Sequence, residues 1–207
     1  MSFDINVRRT LGRFTVDRAF KVGSGLTVLF GPSGSGKTSI LNMVAGLLRP
    51  DSGRITVNGE TMFDSCNRVN LPPDKRHIGY VFQDGRLFPH RRVRSNLLYG
   101  YRLAQKGARW MELDQAIDFL GIAHLLDRWP ASLSGGEAQR VAIGRALLSG
   151  PRALLMDEPL SSLDERRQQE ILAVIARIRD ELKVPILYVT HDRAEANRLA
   201  NDFVEID

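Results

Sequence analysis

Eight residues carry the clearest chemistry in the chain: Gly31, Pro32, Ser33, Gly34, Ser35, Gly36, Lys37 and Thr38. They satisfy G-x-x-x-x-G-K-[ST], a loop whose backbone N–H groups cradle phosphate. Gly34 and Gly36 let the backbone curl so that successive N–H groups point inward. A helix opening near Lys37 adds its positive end, worth about 0.3–2 kcal/mol per charge depending on burial. Lys37 is placed to neutralise the β- and γ-phosphates of a nucleotide such as ATP. The Thr38 hydroxyl is placed to ligate Mg²⁺.

Acids and a histidine supply what a phosphate loop lacks. Asp157 ends the apolar run Ala153 to Asp157, which reads as a buried strand. Ligands of open α/β sheets gather at such carboxyl ends, and a carboxylate there can hold Mg²⁺. Glu158 follows directly and points another way, which makes it a candidate general base toward water. His191 follows the strand-like "ILYVT", and Gln83 follows "IGYVF" in the same manner. His191 is thereby a candidate for the γ-phosphate. His77, His90 and His124 have no such placement.

"LSGGE", Leu133 to Glu137, reads in two ways. Ser134-x-x-Glu137 is a capping box, which many helices use. Capping alone does not explain Gly135 and Gly136, each costing about 1 kcal/mol against alanine inside a helix. Two glycines there leave bare backbone N–H groups that an anion can approach closely. We therefore read a second phosphate-binding helix entrance, carried away from the first by a helical insertion. Two copies packed head to tail would each offer a loop to one nucleotide and a Ser134 helix to the other's.

The elements that must position these residues are read from periodicity. "FDINV", "FTVDRAF" and "LTVLF" are strands, and Thr38 to Ala45 is a helix stopped by Gly46. "RITVNGETMF" is a hairpin about Asn58-Gly59. From Val93 to Leu126 there is no strand pattern; Leu113, Ala116, Ile117 and Leu120 recur at helical spacing, and Gly121 ends that run. The amphipathic stretch Glu165 to Leu182 is a crossover helix between "ALLMD" and "PILYVT". Alternating buried strands and helices argue a mainly parallel sheet with helices on its faces. The division expected is a core of residues 1–88 and 150–207, including an antiparallel β region, with an inserted helical subdomain at 89–149.

With 207 residues, 43% apolar and 26% charged, the composition suits a globular α/β protein with a well-buried core. No run approaches the roughly 18–20 apolar residues of a membrane span, and no signal-peptide pattern is visible. Any membrane role is expected through a partner. Cys66 is the single cysteine, so no internal disulfide forms; this fits a reducing compartment. The net charge of +5 is spread along the chain, densest at His90 to Arg94. No aromatic interleaving accompanies that run, so it reads as a solvated or partner-facing surface rather than a nucleic-acid site.

The order of motifs resembles the nucleotide-binding subunit of ABC transporters. The phosphate loop, "VFQ", "LSGGE", "LLMDEP", "SSLD" and "THD" carry the resemblance over almost the whole chain. It implies a P-loop NTPase fold of the ABC type and hydrolysis of ATP with Mg²⁺ by a pair of subunits. In the family's pattern Ser134, Gly135 and Gly136 contact the γ-phosphate of the opposite subunit's ATP. Glu158 is the catalytic base, and His191 the switch histidine. Gln83 is the Q-loop residue at metal and water, and Asp164 the D-loop residue at the subunit interface. "LPPDKRHIGYVFQDGRLFPH" and "GIAHLLDRWPASLSGGE" look most like the ATPases of bacterial molybdate importers.

That resemblance implies further partners. Asp84 to His90 would lie against an integral membrane permease at the cytoplasmic face of the inner membrane, and a periplasmic binding protein would act indirectly. The family also stacks an aromatic on adenine from the loop between the first strands. Phe14 is the aromatic near that place, and it equally fits the core. Importers of this branch often continue into a small β-rich regulatory domain; "FVEID" ends before one, as in a shortened chain or a compact relative. Other importer solutes (sulfate, iron, a sugar) fit the motifs as well. An ABC-type head acting on DNA or the ribosome would carry a long coiled-coil insertion or a tandem second head. A generic P-loop kinase leaves Ser134 to Glu137 unexplained.

Overall fold

Alternate residues along three central strands pack into two different cores, and this organises the molecule. The computed structural model describes residues 2–104 and 109–207. In β3 (Leu26–Phe30), Leu26 and Val28 face one core and Leu29 the other. In β8 (Ala153–Asp157), Leu154 and Met156 divide from Ala153 and Leu155 in the same way. In β9 (Ile186–Thr190), Ile186 and Tyr188 divide from Leu187 and Val189. A sheet apolar on both faces needs cover on both, as parallel sheets do.

That sheet runs β10-β3-β9-β8-β7, all parallel, with β7 at Ile78–Val81 and β10 at Asp202–Glu205 as its edges. One face is covered by α3 (Val93–Leu103), α4 (Leu113–Leu120), α5 (Gly135–Leu147) and α6 (Glu165–Arg177). The other is covered by α1 (Lys37–Ala45) and by a separate antiparallel sheet. This second sheet orders β2 (Phe14–Val22), β1 (Phe3–Leu11), β4 (Ser52–Val57), β5 (Glu60–Asp64) and the short β6 (Val69–Asn70). Asn58 and Gly59, both at positive φ, make the expected β4–β5 turn.

Two departures from the periodicity reading concern helices and one strand. The crossover helix is α-helical only to Arg177; Ile178–Leu182 continues as a π-helical turn that still buries Ile178. After β9 the chain makes α7 (Arg193–Leu199) and then β10, whose exposed alternate residues left little apolar signal. No helix among the described residues is long and apolar enough to cross a membrane.

One buried cation fastens α1 from behind. Arg76, in the short helix α2 (Pro73–Arg76), is wholly buried, with no acid paired to it among the described residues. Its guanidinium donates to Met43 O at 2.8 Å, Val44 O at 2.9 Å, Leu71 O at 2.8 Å and Asn70 Oδ1 at 3.1 Å. The first two are end carbonyls of α1, which lack partners inside the helix and favour positive charge. Burial pushes the Arg76 pKa down to about 10, still charged at neutrality.

Candidate active site

Register brings four strand ends to one edge. Phe30 lies level with Thr190, Val189 with Asp157, and Met156 with Val81. The residues that follow are the phosphate loop, His191, Glu158 and Gln83. They therefore emerge along the carboxyl edge of β3, β9, β8 and β7, where open α/β sheets bind ligands.

At the loop, Gly36 has φ 95° and an added Cβ would lie 2.8 Å from Val16 Cγ2, so only glycine fits. No side chain caps α1 and no acid stands in its first turn. By contrast α5, α6 and α7 are capped by Ser134, Asp164 and Asp192. The open N–H groups of α1 are thus left for an anion. The buried Lys37 Nζ donates to Gly31 O at 2.8 Å and Pro32 O at 2.7 Å, tying the loop to its own helix. Burial lowers the Lys37 pKa, and the charges of Glu158 and Asp157 oppose that. Ser35 Oγ is buried without a hydrogen-bond partner among the described residues. Pro32, Ser33 and Gly34 stay exposed on the rim.

The two acids divide as their strand position demands. Asp157 is buried and accepts from Thr38 Oγ1 at 2.9 Å on Oδ1. Burial raises its pKa, which a cation beside it would reverse. Glu158 has φ 42°, a left-handed backbone rare outside glycine and characteristic of functional sites. That turn sends its carboxylate to His191, with Oε2 3.1 Å from Nδ1. Loop residues Ser33, Gly34, Gly36, Lys37 and Thr38, together with Glu158 and Phe14, line one cavity of about 200 Å³. Phe14 is 41% exposed, so it stands at the mouth of this cavity and not in the core.

The second helix entrance lines a different cavity, of about 490 Å³, with no residue in common with the first. Ser134, Gly136 and Asp164 share its wall with Arg140, Arg166 and Arg167. The capping box is formed: Ser134 N donates to Glu137 Oε2 at 2.7 Å, and Glu137 N to Ser134 Oγ at 3.4 Å. Those bonds use the N–H groups of Ser134 and Glu137. The first-turn N–H groups of Gly135 and Gly136 have no acceptor within the helix. An added Cβ at Gly135 would lie 2.8 Å from Leu163 Cδ2, a packing reason for glycine that spacing alone does not show.

A family model described as ABC transporter matches residues 18–161, a span that includes the phosphate loop, Ser134 to Glu137, Asp157 and Glu158. The chain belongs to the ABC transporter family. Among curated relatives it is 53% identical to a molybdenum import ATP-binding protein ModC of Paramagnetospirillum magneticum, over 99% of this chain and 56% of that protein. The ModC of Rhodospirillum rubrum is 54% identical over 98% of this chain and 55% of its own length. The ModC of Mesorhizobium japonicum is 55% identical over 99% and 55%. The chain thus spans 55–56% of the length of these relatives. Among solved structures, cbiO1 from Clostridium perfringens, part of the ABC transporter complex cbiONQ, superposes with a TM-score of 0.81 at 26% identity, over 99% of this chain and 84% of that one. A dimeric ATP-binding cassette bound to ADP and Pi shares the fold, with a TM-score of 0.79 at 24% identity, over 100% of this chain and 94% of its own.

Within this ABC ATPase fold, Gln83 is exposed and does not line the phosphate-loop cavity. Asp164 caps α6 through Arg167 N at 3.0 Å. The loop after Gln83 is held by two polar side chains that the motif reading missed. Arg145 of α5 donates to Gly85 O at 2.9 Å and Arg86 O at 2.8 Å. Asn96 of α3, wholly buried, accepts from Phe88 N at 2.8 Å and donates to Arg91 O at 2.9 Å. Both sit inside helical patterns, where nothing local marks a side chain that serves a distant loop.

Proposed function

We propose that the chain hydrolyses MgATP and that two copies share two nucleotides between them to drive an importer. The observation that carries this reading is the pair of anion-ready helix entrances lining separate cavities of one chain. Neither cavity holds both Lys37 and Ser134, which supports a nucleotide that meets both across two molecules. The loop Gly31 to Thr38 holds the α-, β- and γ-phosphates, and Phe14 at the cavity mouth offers a face to adenine. From the partner copy, Ser134, Gly135 and Gly136 reach the γ-phosphate, with Asp164 at the interface.

The donor set fits Mg²⁺. Thr38 Oγ1 and Asp157 Oδ1 lie 2.9 Å apart, and two protein oxygens suffice for an ion that keeps water and takes other ligands from phosphate. Thr38 and Asp157, with Gln83 as a further ligand, would hold the ion, which would supply neutralisation of charge on the phosphates. Glu158 accepts the proton of a water whose oxygen bonds to the γ-phosphorus, while the bond to the β–γ bridging oxygen breaks and ADP leaves. His191 orients the Glu158 carboxylate and contacts the γ-phosphate.

The solute we propose is molybdate or its analogue tungstate, on the strength of the ModC relatives. The chain would sit peripherally at the cytoplasmic face of the inner membrane, with Asp84 to His90 against the permease and a periplasmic binding protein delivering the solute. Glu158→Gln is expected to lower turnover by about 10²- to 10⁴-fold. It should still bind ATP and accumulate as a dimer in gel filtration. Lys37→Ala should instead lose nucleotide affinity. Turnover unchanged in Glu158→Gln would remove the assigned base.

A further inference from the structure

Three elements meet at the Asp157 carboxylate, and one of the side chains there, Tyr80, has no role in the site as read above. Thr38 Oγ1 takes Oδ1. On the other side Tyr80 Oη lies 3.4 Å from Oδ2 and 3.2 Å from Asn42 Oδ1. Thr38 and Asn42 stand one turn apart on α1, Tyr80 on β7 and Asp157 on β8. A phenol has one proton and cannot donate to both a carboxylate and an amide oxygen. With the Asn42 amide turned so that Nδ2 faces the phenol, Asn42 donates to Tyr80 and Tyr80 donates to Asp157. The ring itself is fixed, stacked on Phe82 at 4.0 Å and 14°, with the Arg86 guanidinium 4.1 Å from the Phe82 centroid on the loop after Gln83.

We propose that Tyr80 is a positioning residue for the metal-holding carboxylate: oriented by Asn42, its hydroxyl holds Asp157 Oδ2 and so aims Oδ1 at the position shared with Thr38. This rests on the reading of the site as one for Mg²⁺ and nucleotide. Groups that orient a metal ligand from outside the coordination sphere typically change metal affinity 10- to 100-fold when removed. A ring that merely filled the core would owe its place to stacking alone, and its hydroxyl would not matter to a metal.

Tyr80→Phe separates the two, since it keeps the ring and its stack and deletes one oxygen. In the full chain, free Mn²⁺ is titrated by electron paramagnetic resonance at saturating ADP, beside metal-free ADP binding and the thermal midpoint. Tyr80→Phe is expected to weaken Mn²⁺ about tenfold, with metal-free ADP affinity and midpoint close to wild type. Asn42→Leu should act in the same direction, and the double variant should fall short of the sum of the two effects. Mn²⁺ affinity within twofold of wild type in Tyr80→Phe overturns the proposal. So does a loss confined to the thermal midpoint, which marks a packing role. A wild-type chain that binds neither ADP nor Mn²⁺ overturns the reading of the whole site, an outcome distinct from a silent Tyr80→Phe.

Discussion

At the scale of single residues, Glu137 shows how one side chain ties local structure to the site. It accepts from Ser134 N, and this bond above all holds its carboxyl below the ordinary 4.5. A depressed folded pKa contributes stability that is complete above the unfolded value. The contribution is lost as pH falls through the lower folded value. Glu137→Gln is therefore expected to cost about 1 kcal/mol near neutrality, the usual worth of a helix cap. The gap to wild type should close between roughly pH 5 and pH 3 as both forms become neutral. Urea unfolding at a series of pH values reads this directly, and a gap independent of pH would deny the carboxylate its role. Ser134-x-x-Glu137 was legible as a capping box because both partners lie within one turn. The contact between Glu158 and His191 was not, because their separation in sequence is bridged only by strand register.

At the scale of elements, α1 is the piece that must not move. Its N-terminal end presents the phosphate loop, while its C-terminal carbonyls are gathered by Arg76. Arg76→Met removes the donor, leaves the buried carbonyl of Val44 unpaired and leaves Met43 O with only the N–H of Gly46 at 3.3 Å. The expected loss is about 1–3 kcal/mol of stability, visible as a lower urea midpoint. Arg76→Lys should recover only part of it, since an ammonium lacks the planar fork that reaches several acceptors at once. An unchanged midpoint in both variants would show that the carbonyls find water instead. Helices α3 and α5 do the corresponding work for the loop after Gln83 through Asn96 and Arg145. The existence of α1 and α4 could be read from apolar spacing and glycine stops, and that of α5 from its capping box. What each helix grips at its far end could not, since Arg76, Asn96 and Arg145 resemble ordinary polar positions until the fold surrounds them.

At the scale of the whole molecule, the two cavities make a specific demand on assembly. A copy with Lys37→Ala keeps an intact Ser134 helix, and a copy with Ser134→Arg keeps an intact phosphate loop. Each is expected to be inactive by itself. Mixed at equal amounts, random pairing makes half the dimers hybrid, each with one complete site of two, so about a quarter of wild-type turnover should return. ATPase activity of the mixture against each variant alone measures it. A mixture as inactive as its components, under conditions where wild-type chains pair, would sink the shared-site reading.

The sequence by itself determined the chemistry available: a glycine-bounded phosphate loop, an acid pair at a strand end, and a second glycine-rich helix entrance. Each is encoded within a few residues, where backbone geometry and side-chain spacing act directly. Tertiary structure alone decided which groups meet. Parallel register set His191 beside Glu158 and Tyr80 beside Asp157, and helix packing put Arg145 beneath the loop at Gly85. Those pairings join residues far apart in the chain, and their distances exist only once the two cores have closed on both faces of one sheet.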